Sequence, residues 1–171
     1  MISYVQGDLL TSDCDIIAHG CNCFNTWGAG IARQMRIAHT EAFDADWATS
    51  RGDREKMGTF TTAISHGRRV FNLYTQYSYG NNTKHCDYQA IRSSLQAMRE
   101  YLEVWGETES SKIGLPKIGC GLAGGDWDIV KGIIEDVFVN VDVYIYVLDD
   151  GSIEAARAAG ERIQEAIQDA R

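Results

Sequence analysis

Asp15-Ile-Ile-Ala-His-Gly-Cys-Asn-Cys-Phe-Asn-Thr-Trp-Gly-Ala-Gly-Ile-Ala32 is the stretch whose reading decides the fold. Asp15 to His19 is a short apolar run of the kind that forms a buried strand. From Gly20 the chain turns into a loop rich in Gly and Asn. A helix is expected to begin near Ala29 and to carry Ile31, Met35 and Ile37. Glycine lets a backbone come close to a ligand, and the free N–H groups of a helix start, aided by the dipole, face an anion. Taken alone, the segment reads equally well as a tight strand-to-helix connection that holds nothing.

Working outward, Ile2 to Gln6 reads as a first strand, stopped by Gly7-Asp8, and a further helical stretch covers about Glu41 to Ser50. Gly58 to Ile64 alternates and is rich in β-formers. His66-Gly67-Arg68 makes a turn and Val70 to Thr75 returns, which together predict a hairpin. Gly80-Asn-Asn82 is another turn signal. From Tyr88 the apolar positions Ile91, Leu95, Met98 and Leu102 recur at three and four, the pattern of an amphipathic helix. Lys112 to Leu115 is a buried strand, Pro116 to Gly125 a loop, and Asp126 is placed to cap a helix through about Phe138. Val141 to Leu148 is the last strand. Ile153 to Ala170 reads as a terminal helix, weakened by Gly160. Strands alternating with helices, with one hairpin between, predict an α/β fold whose mixed central sheet is sandwiched by helices. Ligands in such sheets sit outside the carboxyl ends of the strands, where both glycine-rich loops leave.

The second loop, Gly119-Cys-Gly-Leu-Ala-Gly-Gly125, holds four glycines in seven residues. Each glycine lowers stability by roughly 0.5–1 kcal/mol relative to alanine in regular structure, so the clustering asks for a reason. Two such loops at one sheet edge favour a diphosphate ligand. The first loop is not a dinucleotide fingerprint, because Arg33 stands where the third glycine belongs. It also lacks the Gly-Lys-Ser/Thr ending of a triphosphate loop.

The 171 residues fit one domain. A net charge of −8 argues against a nucleic-acid-binding surface, yet backbone amides still hold a phosphate locally. The odd count of five cysteines and the lack of a secretory signal suggest reduced thiols in the cytoplasm. No apolar run reaches the length of a membrane span.

These residues resemble the macrodomain family. Gly7-Asp8-Leu9 looks like its Gly-Asp-Ile/Leu signature. Asp15 to Asn22 is similar to its Asp-Ala-Ile-Val-Asn-Ala-Ala-Asn segment, with His19 in place of the first asparagine. Gly28 to Ala32 looks like its Gly-Gly-Gly-Val-Ala loop, and Leu115 to Leu122 like its phosphate loop. Tyr88 to Met98 and Ile118 to Leu122 resemble the terminal ADP-ribose glycohydrolase branch. His19 to Cys23 with Trp27 to Ala32 resembles the fungal ADP-ribose-1''-phosphate phosphatases. The resemblance implies a three-layer α/β/α fold over residues 1–171, with 151–170 a helix beyond the family core. It implies that Asp8 and the Leu9 amide recognise adenine and that Asn22 contacts the distal ribose. Gly28, Ala29, Gly30 and Ile31, with Gly119, Cys120, Gly121, Leu122 and Ala123, would wrap the diphosphate and distal ribose. The glycohydrolase branch pairs a lysine with an aspartate. Those positions are Gln76 and Ala123 here, which moves the expectation toward phosphatase chemistry, with ADP-ribosyl hydrolysis or non-catalytic reading as alternatives.

Several side chains have two readings. His19 is a natural proton shuttle near neutral pH, or a histidine satisfied by backbone. Asp126 activates water, or caps a helix. Cys120 is a nucleophile with no base close in sequence, or a packing thiol. Cys14, Cys21, Cys23 and His19 lack a zinc-site spacing, so no metal and no cofactor is expected. Trp27, Tyr77 and Tyr79 stack on the ligand or pack. Lys84 and His85 reach a terminal phosphate or stay solvated. The expected catalytic pair is His19 and Asp126. The expected partner is ADP-ribose or ADP-ribose-1''-phosphate bound to a monomer, with nucleic acid only as an ADP-ribosylated substrate.

Overall fold

The computed structural model describes residues 1–80, 84–148 and 168–169. Its elements are β1 (Ile2–Gln6), β2 (Ile16–Cys21), α1 (Gly30–Ala38), α2 (Thr40–Trp47), β3 (Phe60–Ser65), β4 (Arg68–Tyr74), α3 (Tyr88–Val104), β5 (Ile113–Leu115), α4 (Trp127–Val137) and β6 (Val143–Val147), with single turns of 3-10 helix at Leu9–Thr11 and Arg54–Lys56. The expected terminal helix and the Asn81-Asn82 part of the expected turn lie almost wholly outside the described residues.

The sheet runs β1-β6-β5-β2-β4-β3. Every neighbouring pair is parallel except β3 with β4. That exception is the expected hairpin. Its two-residue turn places His66 and Gly67 at φ 51° and 76°, the left-handed pair that matches the twist of the flanking strands.

Alternation along the strands builds two apolar layers. Ile16 and Ala18 of β2 join Phe71, Leu73, Leu115 and Ile145 beneath α3 and α4, where Ile91, Leu95, Met98 and Leu102 make the expected stripe. Ile17 and Cys21 join Val70, Tyr74 and Tyr146 on the other face, covered by Met35 of α1 and Ala42 of α2. The sheet is therefore covered on both faces, as parallel sheets require, and the three-layer α/β/α expectation holds. β2 extends two residues past His19 because Gly20 and Cys21 stay in register with Leu73 and Tyr74. Asp87 and Asp126 cap α3 and α4 through bonds from Ala90 N and Asp128 N.

Candidate functional site

Because β1, β6, β5, β2 and β4 are parallel, the segments after β1, β2, β4 and β5 emerge at one edge. The two glycine loops meet there. Leu122 Cδ1 lies 3.8 Å from the place a Cβ on Gly30 would take.

The first loop is shaped by its own side chains. Asn22 Oδ1 accepts the amides of Phe24 and Thr26 at 2.8 and 3.4 Å, and its Nδ2 donates to Thr26 O at 2.9 Å. The amide expected to meet a ribose thus clasps the loop. Gly28, Ala29 and Gly30 are exposed. Ala29 begins α1 without any side-chain cap, so the first-turn amides, which have no partner inside a helix, are open to an external anion.

Trp27 turns inward. It is 4% exposed, its Nε1 donates to Asp46 Oδ2 at 2.7 Å, and its ring stands edge-on to His19 at 4.7 Å and to Phe43 at 5.5 Å. The indole is thus directed into the core, against His19, Phe43 and Asp46. Asp46 accepts a second bond from Tyr74 OH at 2.6 Å. Burial, then the bond to Asp46, raises the Tyr74 hydroxyl well above its ordinary range. Lys56, also buried, donates to Asn25 Oδ1 at 2.6 Å and Thr49 Oγ1 at 2.8 Å. The two buried charges, with Tyr74 between α2 and the Arg54–Lys56 turn, fix the underside of the loop. Sequence reading missed Asp46 and Lys56. A carboxylate on a surface-type helix and a lysine in a charged turn both look solvated until the chain closes over them.

His19, expected to face the cleft, is wholly buried. Asn72 Nδ2 donates to Ala42 O and Thr61 Oγ1, leaving Asn72 Oδ1 to accept from His19 Nε2 at 2.9 Å, which assigns the proton to Nε2. Burial pushes its pKa down to about 4, against the smaller opposing effect of the Asn72 bond. The ring is a neutral packing group beside Trp27, and no side of it opens on the cleft.

The second loop is stitched to its surroundings. Gly125 N donates to Gly119 O at 2.7 Å, Gly124 N to Gly121 O at 3.1 Å, and Ala123 O accepts from His85 N and Cys86 N at 2.9 and 3.3 Å. Gly121 and Leu122 are exposed, Ala123 is buried and Cys120 half-buried, with the Cys120 thiol directed to Ile118 O at 3.4 Å. Asp126 is exposed. Its Oδ1 accepts Asp128 N at 2.9 Å, and its N–H donates to Tyr88 OH at 2.9 Å. At the far end of the edge, Asp8 Oδ1 accepts Leu10 N at 2.9 Å and Leu9 is buried. Gln76 Nε2 donates to Ser78 O at 2.7 Å. All five cysteines are free thiols. Among the described residues no group of three or more metal-ligating side chains gathers, and no helix is long and apolar enough to cross a membrane.

The arrangement can hold an elongated anion across loops after β1, β2 and β5. No family model matches the chain. It is 31% identical over 147 residues to the ADP-ribose glycohydrolase OARD1 of Bos taurus, covering 85% of this chain and 90% of that one. It is 26% identical over 181 residues to the ADP-ribose 1''-phosphate phosphatase of Debaryomyces hansenii, covering 87% and 100%. Among solved structures, the macrodomain of Mycobacterium tuberculosis DarG superposes with a TM-score of 0.71 at 22% identity, covering 85% of this chain and 97% of that one. On this fold and these relatives, the chain belongs to the macrodomain family.

Proposed function

We propose that the chain binds an ADP-ribose derivative along the carboxyl edge of its sheet and hydrolyses it, the first substrate being ADP-ribose-1''-phosphate. The observation that carries this reading is the uncapped, exposed start of α1 at Gly28–Gly30, with Leu122 of the second glycine loop lying close to Gly30. Backbone amides of Gly28 to Ile31 and of Gly119 to Ala123 would hold the diphosphate, with the adenine near Asp8 and Leu9. The reaction is water attack on phosphorus, breaking the terminal P–O bond to give ADP-ribose and inorganic phosphate. Asp126, the exposed carboxylate at the end of the second loop, is assigned to orient that water while its other oxygen caps α4. His19 is assigned a positioning role through Trp27, because a buried imidazole held neutral has no path to the substrate.

The relatives include an ADP-ribose glycohydrolase as well as a phosphatase, so glycosidic cleavage is the second reading. It would release ADP-ribose from a protein or nucleic acid. Gln76 weighs against the lysine route to that reaction, since an amide forms no Schiff base. The free thiols and the charge of −8 fit a reduced, cytoplasmic monomer that meets nucleic acid only as an ADP-ribosylated substrate.

Phosphate release from ADP-ribose-1''-phosphate and ADP-ribose release from a modified acceptor, measured in parallel, test the reading. Phosphate release is expected, with strong loss in Asp126→Ser, where serine keeps the helix cap and removes the carboxylate. Binding of ADP-ribose with neither product would leave a reader module and overturn the hydrolase assignment.

A further inference from the structure

Beside the two loops a cavity of about 420 Å³ opens between the Arg54–Lys56 turn and residues 77–78 and 84–88. Arg54, Tyr77, Lys84, His85 and Tyr88 are among its lining residues. The Arg54 guanidinium rests 3.7 Å from the centre of the Tyr77 ring, and Lys84 Nζ 3.8 Å from that of Tyr88. Both rings are fixed. Tyr77 OH donates to Gly52 O at 2.9 Å, while Tyr77 O accepts Cys23 N, in the first loop, at 3.0 Å. Tyr88 OH accepts Asp126 N, at the end of the second loop, at 2.9 Å. The walls of the cavity are thus the segments that anchor the two glycine loops.

Its charge is the reverse of the chain's. The whole molecule carries −8, yet neither Arg54 nor Lys84 forms an ion pair among the described residues. The lining carboxylate, Asp87, is engaged by Ala90 N at 3.0 Å as the cap of α3. Cations parked on rings are partly ordered before a ligand arrives, which lowers the entropy lost on binding. Position gives the orientation. Asp8 follows β1 at one edge of the sheet, and the cavity lies beyond β4 toward the other. A ligand with its adenine at Asp8 and its diphosphate on the loops after β2 and β5 directs its distal ribose toward Arg54 and Lys84.

We propose that this cavity is a phosphoryl subsite, receiving a phosphate group attached at the distal ribose end of the bound ADP-ribose. The proposal rests on the ADP-ribose reading above and deepens it by naming the residues that select the substrate. Arginine supplies a flat two-pronged donor and lysine a point charge, both suited to phosphate oxygens. The cavity is larger than one phosphoryl group. The same cations therefore serve either a terminal monoester or the phosphodiester of a nucleic acid bearing ADP-ribose.

Rapid-mixing binding on the full chain, read before any probe is turned over, separates the outcomes. The probes are ADP-ribose, ADP-ribose-1''-phosphate and an ADP-ribosylated single-stranded DNA oligonucleotide, each with the wild type, the Arg54→Gln/Lys84→Gln double variant and Arg54→Lys. The wild type is expected to prefer a phosphate-bearing probe over ADP-ribose by about tenfold or more, the scale of one or two charge-assisted bonds. The double variant should lose that preference while binding ADP-ribose as before, which also reports that it is folded. Arg54→Lys should retain part of it. Loss confined to the 1''-phosphate probe identifies the monoester as the source, and loss with the oligonucleotide identifies the phosphodiester. ADP-ribose binding with no preference in the wild type, or a preference untouched in the double variant, overturns the subsite. No binding of any probe by the wild type overturns the ADP-ribose reading itself.

Discussion

The two glycine loops meet at one edge of the sheet but are built on opposite principles. The second is closed by its own backbone. Gly125 N reaches Gly119 O, and Ala123 O ties the loop to the residues before α3. A Cβ on Gly125 would stand 2.5 Å from Gly119 O and 2.7 Å from Cys86 Sγ. The first loop has room to spare at its tip, where a Cβ on Gly28 would meet nothing within 4 Å. Its order comes from beneath, through Trp27, Asp46, His19 and Lys56. Gly125 in the second loop is needed by the fold, whereas Gly28 in the first leaves open space at the tip. Glycine count alone hides that difference.

The comparison breaks most visibly at Gly125. Gly125→Ala forces the backbone of its own loop apart and is expected to cost about 4 kcal/mol, an overpacking penalty plus a lost hydrogen bond. In a chain of this size that lowers the melting temperature by roughly 8–16 °C, which calorimetry would register. An unchanged melting temperature would mean the loop is not closed as described.

Acid comes next and acts on the first loop. The folded pKa of His19 is lowered to about 4 from 6.5, so between those values the unfolded chain binds the extra proton. Stability is therefore intact above about pH 6.5 and falls as the pH drops toward 4, by roughly 3 kcal/mol for this group. Denaturant melts across that window should show the slope, and His19→Gln should flatten it. His39 is lowered too, by burial first and the Arg68 charge second, so a smaller slope should survive. A His19→Gln curve that overlays the wild type would remove His19 from the support of the loop.

Trp27→Phe leaves a smaller aromatic ring and deletes the N–H that Asp46 accepts. A buried carboxylate oxygen left without its donor costs about 2 kcal/mol. ADP-ribose affinity, read by calorimetric titration, should fall with it, because Gly28 loses its floor. The smallest change in stability belongs to Gly28→Ala, within about 0.5 kcal/mol. Its methyl group nevertheless projects at the open helix start, and ligand affinity should drop about tenfold. If Gly28→Ala instead destabilises the fold as Gly125→Ala does, the contrast between the loops collapses.

Much of the architecture was legible before any coordinates. The period-two run at the hairpin, the spacing of Ile91 to Leu102, and Asp126 standing just ahead of an apolar helical pattern are local signals, and local rules govern them. Both glycine loops were legible for the same reason. The side chains assigned to the site fared differently. His19 was read as facing the cleft because it ends a strand, but residues of a strand alternate between faces. In a parallel sheet covered by α1–α2 on one side and α3–α4 on the other, neither face is open. Only residues beyond Cys21 reach the edge. Asn22 bonds within its own loop, a short-range competition common to asparagine that shows only once the loop has folded. Arg54 gave no signal, since a turn arginine is an ordinary surface residue until it stacks, and Tyr77 was legible only as a loop aromatic that stacks on a ligand or packs.

By itself the sequence determined where chain direction and backbone freedom change. Apolar periodicity, capping residues and glycine act over a few residues, and they set the order of strands, helices and loops and the family likeness. Tertiary structure decided which way the decisive side chains point. Trp27 meets Asp46 across 19 residues and His19 meets Asn72 across 53. Those contacts exist only once burial has removed water and made an unpaired polar group costly, so each such group takes the partner that packing brings to it.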